Sequence, residues 1–241
     1  MSISFLAIQG SFGPVEIALF QDGTCVEQVV EYGAKASSHL IPLISTLLKK
    51  NNLSLADLAF IVTDKGPGAF TTLRVTITTL NGIAFATNTP LIGLDGLEML
   101  SQQVLSSDII KDARPTYVAA LLNAYSKDVY ALVAEINYAD NRPCLGKRIF
   151  YGCSNIEDLL QDILKIGAHN SILVTGNGAI LHADLIKEKM ANSALFEQVP
   201  TSHTSASFLG LCGFSDFSKQ ENMSQKIIPN YLKSQLFAVK K

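Results

Sequence analysis

The sequence predicts an α/β protein in which one unit occurs twice. Three observations predict it. Short apolar strands alternate with helical stripes along the chain. The order three strands, helix, strand, helix appears in each half. A polar stretch, Ser106 to Pro115, separates the halves. With 241 residues, 48% of them hydrophobic, the chain can bury one sizeable core or two smaller ones.

In the first half, Ile3 to Gln9 and Val15 to Phe20 read as strands. Asp22-Gly23 is a type I′ turn signal, so Thr24 to Glu31 returns as a third, antiparallel strand. A helix is predicted from Ser38 to Lys50. Leu40, Ile44, Leu47 and Leu48 fall on one of its faces, and Pro42 lies in the first turn, where a missing N–H costs least. Ser54 can cap a short turn. Ala59 to Thr63 is an apolar strand broken by Gly66-Pro67-Gly68; Leu91 to Leu94 is another strand, and Gly96 to Ser106 a helix. Thr71 to Thr79 carries two patterns at once. Its β-branched residues and the alternation of Leu73, Val75 and Ile77 favour a strand, whereas Phe70, Leu73, Ile77, Leu80 and Ala84 make a helical stripe.

In the second half, Thr116 to Leu122, Val129 to Ile136 and Gly146 to Tyr151 read as strands. Asn155 to Ile166 is a helix capped by Ser154 or Asn155, Ser171 to Thr175 a strand, and Ala179 to Met190 a helix. Leu195 to Val199 is one more strand and Ser205 to Phe217 a last helix. The expected organisation is a lobe at 1–107, a lobe at 108–218, and a basic segment at 219–241, either solvated or packed back on the first lobe.

A net charge of −2 provides no global basic field for nucleic acid. The charged fraction of 17% is low, as it is for a large core or for an apolar surface covered by a partner. Cys25, Cys144, Cys153 and Cys212 form no C-x-x-C pair, as expected of reduced thiols in a cytoplasmic protein. No basic n-region precedes Phe5 to Ile8, so no signal peptide is expected. The uncharged run Val75 to Leu94 holds five threonines, two asparagines and Pro90, which argues against a membrane span. His39, His169, His182 and His203 form no H-x-x-x-H metal pair, and no G-x-S-x-G elbow is present.

The sharpest local signal is Lys65-Gly66-Pro67-Gly68-Ala69-Phe70-Thr71-Thr72-Leu73-Arg74, following a buried strand. Its plainer reading is an ordinary strand-to-helix turn; its sharper one is an anion site at a helix N-terminus. The spacing is not that of a P-loop. Asp64, at the strand end beside it, is either a polar strand-end residue or an ion ligand.

This stretch resembles the G-P-G-S-F-T-G-L-R signature of the TsaB (YeaZ) family. Phe5 to Ser11 resembles its opening I-L-A-I-D-T-S strand, Ser38 to Ile44 its H-S-x-x-L-L-P-x-I helix, and Pro90 to Leu97 the elements that follow the signature. Leu122 to Tyr130 resembles its D-A-R-x-x-E-V-Y hairpin and Pro229 to Lys233 its closing P-x-Y-L-R. The resemblance implies a two-lobed actin-like (ASKHA) fold with two RNase-H-like subdomains, and a helix over Ala69 to Ala86. It further implies a non-catalytic subunit of the machinery that transfers threonylcarbamoyl to the adenine beside the tRNA anticodon. The partners implied are a TsaD-like catalytic subunit and a TsaE-like ATPase, with tRNA contacted indirectly, ATP and Mg used by the complex as a whole, and no cofactor or metal held here. The expected partner-binding face, shared with a homodimer where one forms, comprises His39, Leu40, Leu43, Ile44, Leu47, Phe70, Thr72, Leu73, Thr76, Ile77 and Leu80. Gly66, Pro67 and Gly68 are the expected signature loop.

The departures bear on chemistry. Gln9 stands where the family has Asp, and Asn123 where its second lobe has Asp; a neutral amide is a poor ligand for phosphate-bound Mg²⁺. Tyr125 stands where Arg is common, and Thr72 replaces a Gly on the helix expected to meet a partner. The alternative is a small actin-like kinase or ATPase acting alone, on fold analogy only.

Overall fold

The computed structural model describes residues 2–33, 36–107, 114–140, 142–167, 171–190, 195–199 and 201–233. The chain forms two compact units, Met1–Met99 with His203–Asn230 and Leu100–Ser202 with Tyr231–Lys241.

The first unit is built on β1 (Ser4–Gln9), β2 (Val15–Gln21), β3 (Thr24–Glu31), β4 (Leu58–Asp64) and β5 (Leu91–Leu94), with helices α1 (Leu40–Lys50), α2 (Phe70–Thr87) and the start of α3 (Gly96–Leu105). The second contains β6 (Tyr117–Asn123), β7 (Asp128–Ala139), β8 (Arg142–Asn155), α4 (Ile156–Gly167), β9 (Ser171–Thr175), α5 (Asn177–Leu181), α6 (Ala183–Met190) and β10 (Leu195–Val199). Helix α7 (Ala206–Lys219) and the short β11 (Met223–Ser224) follow. The sheet orders are β11-β5-β4-β1-β2-β3 and β10-β9-β6-β7-β8. Apart from β11 they match position by position: a three-strand antiparallel meander followed by two parallel strands. The duplication read from the sequence is therefore a duplication of topology.

β1 is buried along its whole length because both its faces are covered. Leu6 and Ile8 point to a core shared with Leu40, Ile44, Leu47, Leu48, Leu73, Ile77 and Leu80 of α1 and α2. Phe5 and Ala7 point to the opposite core, where α7 packs. There the rings of Phe20 and Phe5 stack at 4.8 Å, Phe5 and Phe60 at 4.3 Å, and Phe60 and Phe217 at 4.5 Å. Gly210 and Gly213 let α7 lie directly on this layer. A Cβ at Gly213 would come within 2.7 Å of Val62, and one at Gly210 would strike the Phe20 ring. The Ser205 hydroxyl caps α7 by accepting from the N–H of Phe208 at 3.1 Å.

Several expectations are corrected. Helix α7 was expected in the second lobe, within 108–218; it belongs to the first unit, because its small-residue face completes that unit's second core. The segment after 219 pairs β11 with β5 and buries Ile227, before Tyr231 passes to the second unit. The helix expected from Ala179 to Met190 is broken at His182 into α5 and α6. β8 is longer than Gly146 to Tyr151. The stretch with two patterns is helix, the state the family resemblance implies: α2 buries Leu73, Thr76, Ile77, Leu80 and Ala84, so packing overrides strand propensity. Asn155 caps α4, accepting from the N–H of Glu157 at 3.0 Å. The expected boundary at 106–115 lies largely outside the described residues. Among the described residues, no helix is long and apolar enough to cross a membrane.

Candidate functional site

The parallel strands β1, β4 and β5 of the first unit end side by side, at Gln9, Asp64 and Leu94. Asp64 is 2% exposed, and Gln9 and Ser11 are fully buried. Every polar group among them has found a partner. Asp64 Oδ2 accepts from Gln9 Nε2 at 3.1 Å and from Ser11 Oγ at 2.5 Å, while Oδ1 accepts the N–H of Gly66 at 2.7 Å. Gln9 Oε1 in turn accepts the N–H of Ser11 at 2.7 Å. Burial pushes the Asp64 carboxyl up to about 6, against the pull of the hydrogen bonds from Ser11, Gly66 and Gln9; the Asp95 carboxylate adds to the rise.

The signature loop is fastened to this cluster. Gly66 has φ +100° and precedes Pro67 through a cis peptide. The Ala69 N–H donates to Ser11 O at 2.8 Å, and the Gly96 N–H to Gly66 O at 2.9 Å. A Cβ at Gly68 would lie 2.7 Å from Ser11 O, so only glycine lets the two loops close together. The C-terminal segment completes the binding of the loop. Asn230 donates its N–H to Lys65 O at 2.7 Å and its side-chain amide to Asp95 Oδ2 at 2.9 Å. Asn81 of α2 both donates to Ile227 O and accepts from its N–H, at 2.9 and 2.8 Å.

In the second unit, β6 ends at Asn123. Its N–H donates to Asn177 Oδ1 at 2.7 Å, and its own Oδ1 accepts from the N–H of Tyr125 at 2.8 Å. Tyr125, Ser126 and Lys127 all have positive φ, at 62°, 54° and 65°. Asn123 is thus spent on shaping a turn.

The expected partner-binding residues separate into two groups. Leu40, Ile44, Leu47, Leu73, Thr76, Ile77 and Leu80 are at most 2% exposed, in the core of their own unit. They face the sheet, so they are corrected to core positions. Their stripe is the inward side of each helix, which the sheet must bury. His39, Leu43, Phe70 and Thr72 do reach the surface. The outward side also carries residues the pattern missed: Ile41 at 60% exposed and Phe85 at 90%. The Arg74 guanidinium lies 4.0 Å over the Phe70 ring. The only signal for them is negative: Ile41, Arg74, Thr78 and Phe85 are positions that the buried stripes of the two helices leave over. Neither helix contains an acidic residue.

Among the described residues, no group of three or more His, Cys, Asp or Glu side chains is placed to hold a metal. His39 contacts Glu31 at 3.4 Å and His203 contacts Glu16 at 3.0 Å. Burial pushes the His182 imidazole down, and its Nε2 is enclosed without a partner. His169 lies outside the described residues. The four cysteines are free thiols.

Comparison with known proteins gives consistent results. Residues 32–233 match the family described as TsaD: tRNA N6-adenosine threonylcarbamoyltransferase. A protein named tRNA threonylcarbamoyladenosine biosynthesis protein TsaB, from Buchnera aphidicola subsp. Baizongia pistaciae, is 27% identical over 195 residues, 80% of this chain and 81% of that one. A Pseudomonas aeruginosa structure, described as an uncharacterized protein with similarity to peptidase YeaZ, has a TM-score of 0.72 at 21% identity, over 96% of this chain and all 100% of its own. A Bacteroides thetaiotaomicron protein described as having an actin-like ATPase fold and unknown function has a TM-score of 0.50 at 9% identity, over 87% and 95% of the two chains. At such identities the two structures speak to the fold alone, which is actin-like.

Proposed function

We infer the role of this chain from the family to which it belongs: it is a member of the TsaD family of tRNA N6-adenosine threonylcarbamoyltransferases, on the TsaB (YeaZ) side of that family. The chain takes part in tRNA threonylcarbamoyladenosine biosynthesis. Its part is that of a partner subunit that performs no chemistry and docks on a TsaD-type catalytic subunit, alongside a TsaE-type ATPase.

The observation that carries this reading is the self-satisfied cluster at Gln9, Ser11 and Asp64. The actin-like fold implies a nucleotide with its magnesium at these strand ends, and the residues present do not fit one. Asp64 is enclosed, and both its oxygens accept hydrogen bonds from within the chain; the neighbouring Asp95 is likewise engaged, by the N–H groups of Leu97 and Glu98 and the side-chain amide of Asn230. Gln9 brings an amide that already donates to Asp64. The cluster instead anchors the signature loop from which α2 begins. On the outward side of α1 and α2, Ile41, Phe70 and Phe85 give a partner an apolar surface, and Arg74 a positive charge. A partner of standard size would cover roughly 800 Å² there.

The test is genetic. Deleting the gene and measuring threonylcarbamoyladenosine in total tRNA by mass spectrometry is expected to show the modification lost or sharply reduced, and restored by the intact gene. Unchanged modification would contradict the role.

A further inference from the structure

The free edge of the second sheet has a chemistry that the docking role does not use. Among the described residues, β8 pairs with β7 alone and ends its sheet. It carries Arg142, Lys147 and Arg148 and contains no Asp or Glu. Its ladder with β7 slips twice. Val133 lies opposite Phe150, Ala134 opposite Arg148 and Ile136 opposite Leu145, so β8 holds an extra residue on each side of Arg148. In an unbroken strand successive side chains change face. Here Lys147, Arg148 and Ile149 are all exposed in succession. The Arg148 guanidinium lies 5.2 Å over the Tyr151 ring, and Arg114 lies 5.3 Å over Tyr138, which is paired with Pro143 of the same edge strand. Among the described residues of β7 and the turn after it, the acids are Glu135, Asp140 and Asp128, the last held by Lys233 at 2.7 Å.

Charge on an edge strand deters strand-to-strand aggregation, and one bulged lysine is enough for that. It does not call for two bulges around a basic pair, or for two arginines laid on tyrosine rings. Arginine is the side chain whose planar fork of N–H groups matches a phosphate.

We propose that the β8 edge is a contact surface for the sugar–phosphate backbone of the RNA substrate, with Lys147 and Arg148 at its centre and Arg142 and the Arg114–Tyr138 pair beside them. The proposal rests on the role in transfer RNA modification inferred above. It adds a direct contact where the sequence suggested an indirect one. With the chain at net −2, the contact is local and orients RNA brought in by the whole complex.

The probe is a fluorescein-labelled, unmodified transfer RNA transcript, titrated with the assembled complex in an anisotropy assay at several salt concentrations. Lys147→Glu with Arg148→Glu is expected to weaken binding roughly tenfold at about 0.1 M salt and to reduce the slope of log affinity against log salt by about 1.4, the loss of two phosphate contacts. Lys147→Gln with Arg148→Gln, which preserves solubility and length, should move both quantities in the same direction. Equal affinity and equal slope for both variants would overturn the proposal. So would loss of a protein partner from the complex with RNA binding unchanged, since the edge would then be a protein contact. If gene deletion abolishes the modification while the variants bind RNA as the wild type does, the RNA contact fails and the modification role stands. If deletion leaves the modification intact, the role itself fails.

Discussion

The buried carboxylate of Asp64 makes a pH-dependent contribution opposite in sign to that of most carboxylates. An Asp has an ordinary value of 3.8, and burial pushes this one to about 6. Between those values the folded protein holds the proton more tightly than the unfolded chain does. This group therefore favours folding below pH 3.8; its contribution declines as pH rises and levels off once pH passes about 6. At about 1.36 kcal/mol for each tenfold change in proton affinity, the gap amounts to about 3 kcal/mol. Asp64→Asn removes the titration. It also turns one amide toward another, because Gln9 Nε2 loses its acceptor, which costs about 1–3 kcal/mol at every pH. Urea unfolding of both proteins from about pH 4 to 8 separates the two effects. The wild type should lose about 2 kcal/mol relative to Asp64→Asn as pH rises across that range, the rest of the gap falling below pH 4, superimposed on a constant offset. Parallel profiles would refute the reasoning, since they would mean that Asp64 is hydrated or ionised at little cost.

Three further outcomes are expected. Gly210→Ala drives a methyl into the Phe20 ring and should cost about 1–3 kcal/mol by thermal or urea unfolding, whereas Gly82→Ala, with nothing within 4 Å, should be neutral or stabilise α2 by up to about 1 kcal/mol. Glu16 accepts from His203 Nε2 at 3.0 Å and from the Ala206 N–H at 3.0 Å. Its carboxyl is held below 4.5 by those two partners against the opposing effect of burial, so its contribution is present above pH 4.5 and is lost as pH falls through the lowered value; Glu16→Gln should flatten that acid limb of the unfolding profile. Leu73→Ala should cost about 2–5 kcal/mol of stability, as a core truncation does, while Phe85→Ala should leave the melting temperature nearly unchanged.

Much of the fold was legible in the sequence because its signals were local. The Asp22-Gly23 turn, the apolar runs of β1 and β4 and the stripe of α1 each state their own conformation. The helical state of α2 was legible only through the family resemblance, because its β-branched residues argue for a strand as strongly as its stripe argues for a helix, and the sheet beneath decides. The placement of α7 was hidden for a similar reason: Gly210 and Gly213 record a close approach without naming the layer approached. The candidate site was legible in part. The departure at Gln9 announced a weak metal ligand, but nothing in the sequence shows that its amide reaches Asp64, 55 positions away. The partner face was misread because an amphipathic stripe marks what its own domain buries. The outward residues, Ile41, Arg74 and Phe85, follow no period that a single chain would require.

The central claim is that the outward side of α1 and α2 grips a TsaD-type subunit while the strand ends stay closed. Measuring the affinity of that subunit for the wild type and for Ile41→Asp with Phe85→Asp, by calorimetric titration, tests it most directly. The account predicts at least a tenfold loss, worth about 1.4 kcal/mol, with the variant's melting temperature unchanged. Undiminished affinity in a folded double variant would contradict it.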